Sequence, residues 1–351
     1  MKIGLLTYHH TTNFGSLLQT YALYKAVENT GNEIEIIDYH NETIENRESP
    51  IRLSDIRSVR HLVRYFIREP QKRKKEKSFK EFLNKNTKLS NSCTTKNIAR
   101  ICERYDKVLV GSDLVWDFTI NGNDTTYFLD FLPDCSKKIA YASSVGSVWQ
   151  DKEKVSSMLR GFSHIGVRER VIEQTLTEWL NKPVDFVCDP TMLVHKAFWK
   201  NMASKPVVKG KYIICYFYDS KKQIYKDALE YGKKHNLPVY LITYGKAPEG
   251  IKAVAPADVE DFLSLIANAD TVFTASYHGL LFSLYFNRNF YYYNRGWKAR
   301  MDSVAEYLNI QNREQLSSVN INTKPDFKLV NKQIQQFRQS SLDKLSLYLD
   351  S

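Results

Sequence analysis

Residues 2–39 read KIGLLTYHHTTNFGSLLQTYALYKAVENTGNEIEIIDY. Residues 2–7 (KIGLLT) form an apolar run of strand length. A short polar turn follows. Leu17, Leu18, Tyr21, Ala22, Ala26 and Val27 then recur at helical spacing up to Gly31. Residues 33–39 (EIEIIDY) read as a second strand. A strand, helix and strand this close together form a right-handed βαβ crossover, which places both strands side by side in a parallel sheet.

The pattern repeats along the chain. Strands are expected at 105–113, 137–146, 164–169 and 184–193, with helices at 151–160 and 171–180. A second series follows: strands at 211–218, 237–245, 270–276 and 289–294, and helices at 221–236, 258–269 and 278–287. The expected fold is α/β, with two Rossmann-like domains and a central cleft. The N-terminal domain spans 1–200, with a basic helical insertion at about 45–95. The C-terminal domain spans 205–325. A helix within 326–351 has Val330, Ile334, Phe337 and Leu345 on one stripe and is expected to pack back across both domains.

Composition sets bounds on function. The 351 residues are 43% hydrophobic and 25% charged, ordinary values for a folded protein. The net charge of +11 raises nucleic-acid and membrane-surface readings. Residues 51–90 alone carry +9, leaving +2 for the other 311. That segment, with RHLVRYFIREPQKRKKEK at 60–77, sets Leu62, Val63, Phe66 and Ile67 beside its basic residues. It reads as amphipathic helices broken at Pro70. It is either a solvated excursion or a contact with an anionic membrane surface; nucleic acid is not the expected partner. The five cysteines have neither zinc-ligand nor CxxC spacing. MKIGLLTYHH is too short in apolar residues for a signal peptide, and no run approaches the roughly 18 apolar residues of a membrane span. The expected location is cytoplasmic, peripheral at the inner face of the membrane.

Polar and small residues gather where strands end, and in a parallel sheet those ends share one rim. Asn13-Phe14-Gly15, with Gln19 beyond, fits both a capped βα turn and an anion-binding turn. Ser112 and Asp113 after Gly111 fit a helix cap, and Asp113 also fits a base for a sugar hydroxyl. Arg168 follows HIGV; it suits a carboxylate or phosphate, or an ion pair with Glu169. Asp189-Pro190-Thr191 ends another strand. His278, between Ser276-Tyr277 and Gly279, meets a helix N-terminus and suits proton transfer or an anion. Trp116, Trp149 and Trp297 fit sugar stacking or core packing. Asp130 and Asp134 show no metal pattern. His9-His10 fits a metal in isolation but reads as a solvated loop pair, so no metal is expected.

The order of these motifs resembles the polysaccharide pyruvyl transferase family. Asn13-Phe14-Gly15-Ser16-Leu17-Leu18-Gln19-Thr20-Tyr21-Ala22-Leu23 matches its N-[YF]-G-x-x-L-Q-x-x-A-L segment. Gly111 to Trp116, Ala140 to Gly146, Gly166 to Glu169, Asp189 to Thr191 and Thr274 to Gly279 match five further elements in order.

The resemblance implies a fold like the GT-B glycosyltransferases. It also implies transfer of a pyruvyl group from phosphoenolpyruvate to a sugar of a cell-surface polysaccharide, or of its lipid-linked precursor, as a cyclic ketal. Phosphoenolpyruvate is a co-substrate, and no cofactor is expected. Arg168 and His278 match the family's donor-binding arginine and histidine. His278 and Asp113 are the expected catalytic pair. Ser276, Gly279, Arg295 and Arg300 join the donor side, and Asn13, Phe14, Gly15, Gln19, Ser112 and Trp116 the acceptor side.

The chain departs from the family at three positions. Ser276 stands where some members have arginine, with Arg295 or Arg300 the expected substitute. Leu114 replaces a common Gln and Ala275 a common Asp. Two other functions fit the pattern: a GT-B-type glycosyltransferase using a nucleotide sugar, and a non-catalytic glycan- or anion-binding protein.

Overall fold

The computed structural model describes residues 1–48, 69–146, 149–216, 223–294, 298–315 and 323–351. Eleven strands among them form two parallel sheets. The first contains β1 (Lys2–Leu6), β2 (Glu33–Ile36), β3 (Lys107–Val110), β4 (Lys138–Ser143), β5 (His164–Val167) and β6 (Asp185–Phe186), in the order β2-β1-β3-β4-β5-β6. The second contains β7 (Ile213–Tyr216), β8 (Val239–Ile242), β9 (Lys252–Val254), β10 (Thr271–Thr274) and β11 (Asn289–Tyr292), in the order β11-β10-β7-β8-β9. Each sheet reverses its winding once, between β1 and β3 and between β7 and β10. Such switch points are where crevices open beyond the strand ends. The two crevices supply the 7–13 and 111–113 turns on one side and the 275–278 turn on the other.

The Phe14–Glu28 helix joins the two units. Asn13 caps it, its side-chain oxygen accepting from the Gly15 N–H at 2.8 Å, a cap that contributes about 1 kcal/mol. The helix is buried on nearly every side. Phe14 stacks on Phe262 of the second unit with centroids 4.5 Å apart. Burying a ring of this size contributes about 2 kcal/mol. One hydrophobic core thus runs from Ile3 and Leu5 through to Leu280 and Phe290.

Two segments cross between the units. The Lys298–Tyr307 helix follows the second sheet, yet its Ser303 Oγ accepts from the Arg170 N–H of the first unit at 2.9 Å. The Phe327–Asp350 helix touches both. Arg338 Nε donates to Leu193 O at 2.8 Å, while Gln333 Nε2 donates to Tyr307 O at 3.2 Å.

The run 184–193 is not a single strand. β6 holds only Asp185–Phe186, and Pro190–Leu193 forms a short helix with Asp189 as its cap. A proline at the first helical position and a capping aspartate favour that ending. In the basic insertion, Leu62, Val63, Phe66 and Ile67 lie outside the described residues, as do Arg295 and Trp297. Pro70 is the second residue of a continuous Glu69–Asn86 helix. That helix buries Phe79, Phe82 and Leu83 against the Phe14–Glu28 helix, with Phe14 and Phe79 centroids 4.9 Å apart. Among the described residues, no helix is long and apolar enough to cross a membrane.

Candidate active site

A cavity of about 320 Å3 opens between the two rims. The first unit contributes Tyr8, Thr11, Asn13, Ser16, Arg47, Asp113 and Leu114 to its wall, and the second Ala275, Ser276, Tyr277 and His278. Arg300 and Met301 reach it from the crossing Lys298–Tyr307 helix.

Arg168 lies behind this wall. It leaves β5 with 1% of its surface exposed. Nη1 donates to Asp189 Oδ2 at 2.6 Å and to Ser112 Oγ at 3.2 Å, and Nη2 to Asp113 Oδ1 at 3.1 Å. Its guanidinium carbon lies 4.9 Å from the Tyr277 ring centroid. Arg168, expected on the donor side, is therefore not among the residues that line the cavity: Nη1 and Nη2 are engaged by Asp189, Ser112 and Asp113, while Nε, 3.9 Å from Glu169 Oε1, makes no hydrogen bond. Among the described residues, the arginines on the wall are Arg300, with Nη1 3.7 Å from Asp113 Oδ1, and the exposed Arg47.

The charges set one another. Burial alone raises the Asp113 carboxyl, but Arg168, His278 and Arg300 outweigh it and hold the group below the usual carboxylate range. Asp189 is likewise opposed by burial, yet His278, Arg168 and the Thr191 hydrogen bond hold it well below that range. Burial, together with repulsion from Arg168, lowers the Arg300 guanidinium. Glu169 goes the other way. Burial pushes its carboxyl up to about 7, against the pull of Arg168 and the Ser144 hydroxyl that donates to it.

His278 sits on the first turn of the Tyr277–Tyr285 helix, which Ser276 caps. Its Nε2 is 3.4 Å from Asp189 Oδ2. Its other face lies against the backbone of Gly15, where a Cβ would stand 2.1 Å from His278 Nδ1. Gly15 thus serves by having no side chain, letting an imidazole of one unit rest on a helix N-terminus of the other.

The remaining expected residues divide plainly. Asn13, Asp113, Ser276, His278 and Arg300 face the cavity. Gly279 is packed behind it against Thr274 and Tyr216. Ser112 is fully buried under Arg168. Gln19 is a buried strut: its amide donates to Thr7 Oγ1 and Ser16 O, and its carbonyl accepts from the Ser112 N–H at 3.2 Å. Phe14 packs in the core. Trp116 is no sugar platform; it is fully buried, stacked on Phe128, with its indole N–H donating to Tyr127 O at 2.9 Å. Tyr8, Ser16 and Arg47 were not legible as wall residues. Ser16 was the most findable, since its position one turn into the capped helix aims its hydroxyl at Asp113. Among the described residues, side chains close enough to share a metal ion lie beside this cavity, not in it: His9, His10 and Asp38, and His10, His40 and Glu45.

A family model of the polysaccharide pyruvyl transferases matches residues 13–296. No curated protein matches the chain. Solved structures similar to it include UDP-GlcNAc 2-epimerase from Rickettsia bellii, at 11% identity, covering 98% of each chain, with a TM-score of 0.51. The UDP-GlcNAc 2-epimerase of Methanocaldococcus jannaschii, in complex with UDP-GlcNAc and UDP, is 13% identical over 96% of this chain and 93% of that one, with a TM-score of 0.49. MurG of Acinetobacter baumannii is 12% identical over 100% and 99%, with a TM-score of 0.43. At these identities the likeness concerns the fold alone, which is the GT-B type: two Rossmann-like units facing across a cleft.

Proposed function

The chain belongs to the polysaccharide pyruvyl transferase family, and from that premise we propose that it moves the pyruvyl group of phosphoenolpyruvate onto a sugar of a cell-surface polysaccharide or its lipid-linked precursor. The supporting observation is the asymmetry of the cavity. One wall offers His278 and Arg300, and the facing wall offers the ionised Asp113.

In this reading Arg300 and His278 meet the carboxylate and phosphate of the donor, with Arg47 at the mouth. Arg168 is a positioning residue that holds Asp113 and Asp189 in place. His278 delivers a proton to the vinyl C3. C2 becomes cationic and the first sugar hydroxyl bonds to it. The bond between C2 and the bridging oxygen then breaks, that oxygen leaves with phosphate, and a second hydroxyl bonds to C2 to close the ketal. One hydroxyl proton replaces the one given to C3, and the other leaves with phosphate. Asp113 is a weak base, but a hydroxyl adding to a cationic carbon becomes acidic enough for a weak base to take its proton.

Calorimetric titration tests this reading. Phosphoenolpyruvate is expected to bind the wild-type chain and to lose at least tenfold in affinity to His278→Gln. Binding of a nucleotide sugar, with none of phosphoenolpyruvate, would move the assignment to glycosyl transfer. A lipid-linked acceptor would also give the basic insertion a use at an anionic membrane. Arg73→Gln with Lys74→Gln, two exposed sites, should weaken sedimentation with anionic vesicles several-fold; unchanged sedimentation removes that use. Lys75 is unsuited to the test, because its ammonium lies 4.4 Å from the Phe14 ring centroid and 4.8 Å from that of Tyr244.

A further inference from the structure

The loop leaving β1 carries His9 and His10, and the chain leaving β2 carries Asp38 and His40. These pairs are about thirty residues apart in sequence. The parallel pairing of β1 with β2 brings their carboxyl ends together, and a cavity of about 230 Å3 opens over them. We propose that His9, His10 and Asp38 form a binding site for a divalent transition-metal ion of the zinc class.

His9 Nε2 is 3.1 Å and His10 Nε2 2.8 Å from the same oxygen, Asp38 Oδ1. The three ligand atoms lie within 4.8 Å of one another. Metal–nitrogen and metal–oxygen bonds of about 2.0–2.2 Å put ligand atoms roughly 3.4 Å apart in a tetrahedral site, so small side-chain rotations bring all three onto one ion.

His9 is buried, and its Nδ1 lies 3.2 Å from Thr7 O. A carbonyl only accepts, so Nδ1 carries the proton there. The carboxylate of Asp38, 3.1 Å from Nε2, also only accepts, so the neutral ring can donate to one of the two acceptors and leaves a lone pair for a cation on Nε2. His40 repeats the pattern: Nδ1 is 2.7 Å from Glu45 Oε1, and Nε2 is 3.8 Å from Asp38 Oδ2. His10 Nε2 is closed off from solvent and not aligned for a hydrogen bond, although Asp38 Oδ1 is close. Lone pairs and a carboxylate gathered on one point are what a cation reconciles. An acceptor behind each ligating imidazole, as Thr7 O stands behind His9, is the usual support of a metal-binding histidine.

The donor set identifies the ion. Two imidazoles and one carboxylate, without thiolate, suit zinc and its neighbours; calcium and magnesium prefer oxygen alone. Three protein ligands leave a fourth position towards the cavity. The ion would tie the β1 loop to the end of β2. Thr11 of that loop lines both cavities, so the clamp would steady the wall carrying Asn13 and Ser16.

The test uses the full-length chain, free of any polyhistidine tag, stripped with chelator and titrated with Zn2+ in a calorimeter. Co2+ is added separately and read by absorption. The expected result is one ion per chain, with the visible d–d bands of a tetrahedral Co2+ site. His10→Ala and Asp38→Asn should each weaken Zn2+ binding at least tenfold. Failure of the wild-type chain to bind one equivalent overturns the proposal and leaves a hydrogen-bonded His–Asp cluster. Undiminished binding in both variants overturns it as well. Should Asp38→Asn fail to fold by circular dichroism, His10→Ala decides, since that ring is partly exposed.

Discussion

The rims of the two sheets carry different halves of one charge system. The first rim holds the acids Asp113, Asp189 and Glu169, with Arg168 locked among them. The second unit and its crossing helix bring His278 and Arg300. Neither half is satisfied alone. Asp113 is kept ionised in part by His278 and Arg300, and Asp189 in part by His278. The cavity exists because the halves meet, and the Phe14–Glu28 helix is the packing that makes them meet.

The two halves come apart most forcefully at Arg168. Arg168→Ala leaves the buried Asp189 and the cavity-facing Asp113 without their guanidinium and should destabilise the chain by about 3–5 kcal/mol, read as a shift in denaturant midpoint. A loss below about 1 kcal/mol would mean that the second rim holds the acids by itself.

Glu169 tests the burial of the first rim. Its folded pKa of about 7 stands above the ordinary 4.5. The folded chain therefore holds this proton more tightly than the unfolded one. Stability from this group is full below about pH 4.5 and is lost as pH rises through 7. Glu169→Gln should remove that decline, gaining on the order of 3 kcal/mol over wild type at pH 8. Parallel stability–pH curves for the two chains would contradict the assignment.

Gly15→Ala sharpens the contact between the rims. The new methyl would stand 2.1 Å from His278 Nδ1. It should cost about 1–3 kcal/mol and lower turnover more than tenfold by displacing the ring. Wild-type turnover would show that His278 needs no seat on the first unit. The smallest change in stability, within about 1 kcal/mol, is expected for Arg300→Ala, because burial and its neighbour Arg168 already disfavour this cation. Its effect belongs in donor affinity, at least tenfold, and an unaltered affinity would remove it from the donor side.

Much of this arrangement was legible in the sequence. Apolar runs ending in Gly111, Asp189 and Ser276 marked the rims, because buried parallel strands leave continuous apolar stretches. β9 was not legible: Lys252–Val254 is three residues long and largely exposed, so it has no apolar run. Arg168 was found, but its partners were not. Asp113 and Asp189 lie far from it in sequence, and only the β3-β4-β5-β6 order brings them onto one guanidinium. Arg47 lies on a seven-residue helix without apolar periodicity. The grouping of His9, His10 and Asp38 likewise depends on strand pairing. Asn13 and Gly15 were each half legible: the cap was visible, whereas the imidazole resting on Gly15 belongs to a segment more than 260 residues away.

The most direct test of the account is turnover. Purified chain, phosphoenolpyruvate and a panel of lipid-linked or nitrophenyl sugars are incubated together, and phosphate release and product mass are followed. Phosphate release and the mass gain of one pyruvyl ketal are expected to appear together on an acceptor, and both to be lost in His278→Gln. Sugar transfer from a nucleotide donor, with phosphoenolpyruvate left intact across the panel, would contradict it.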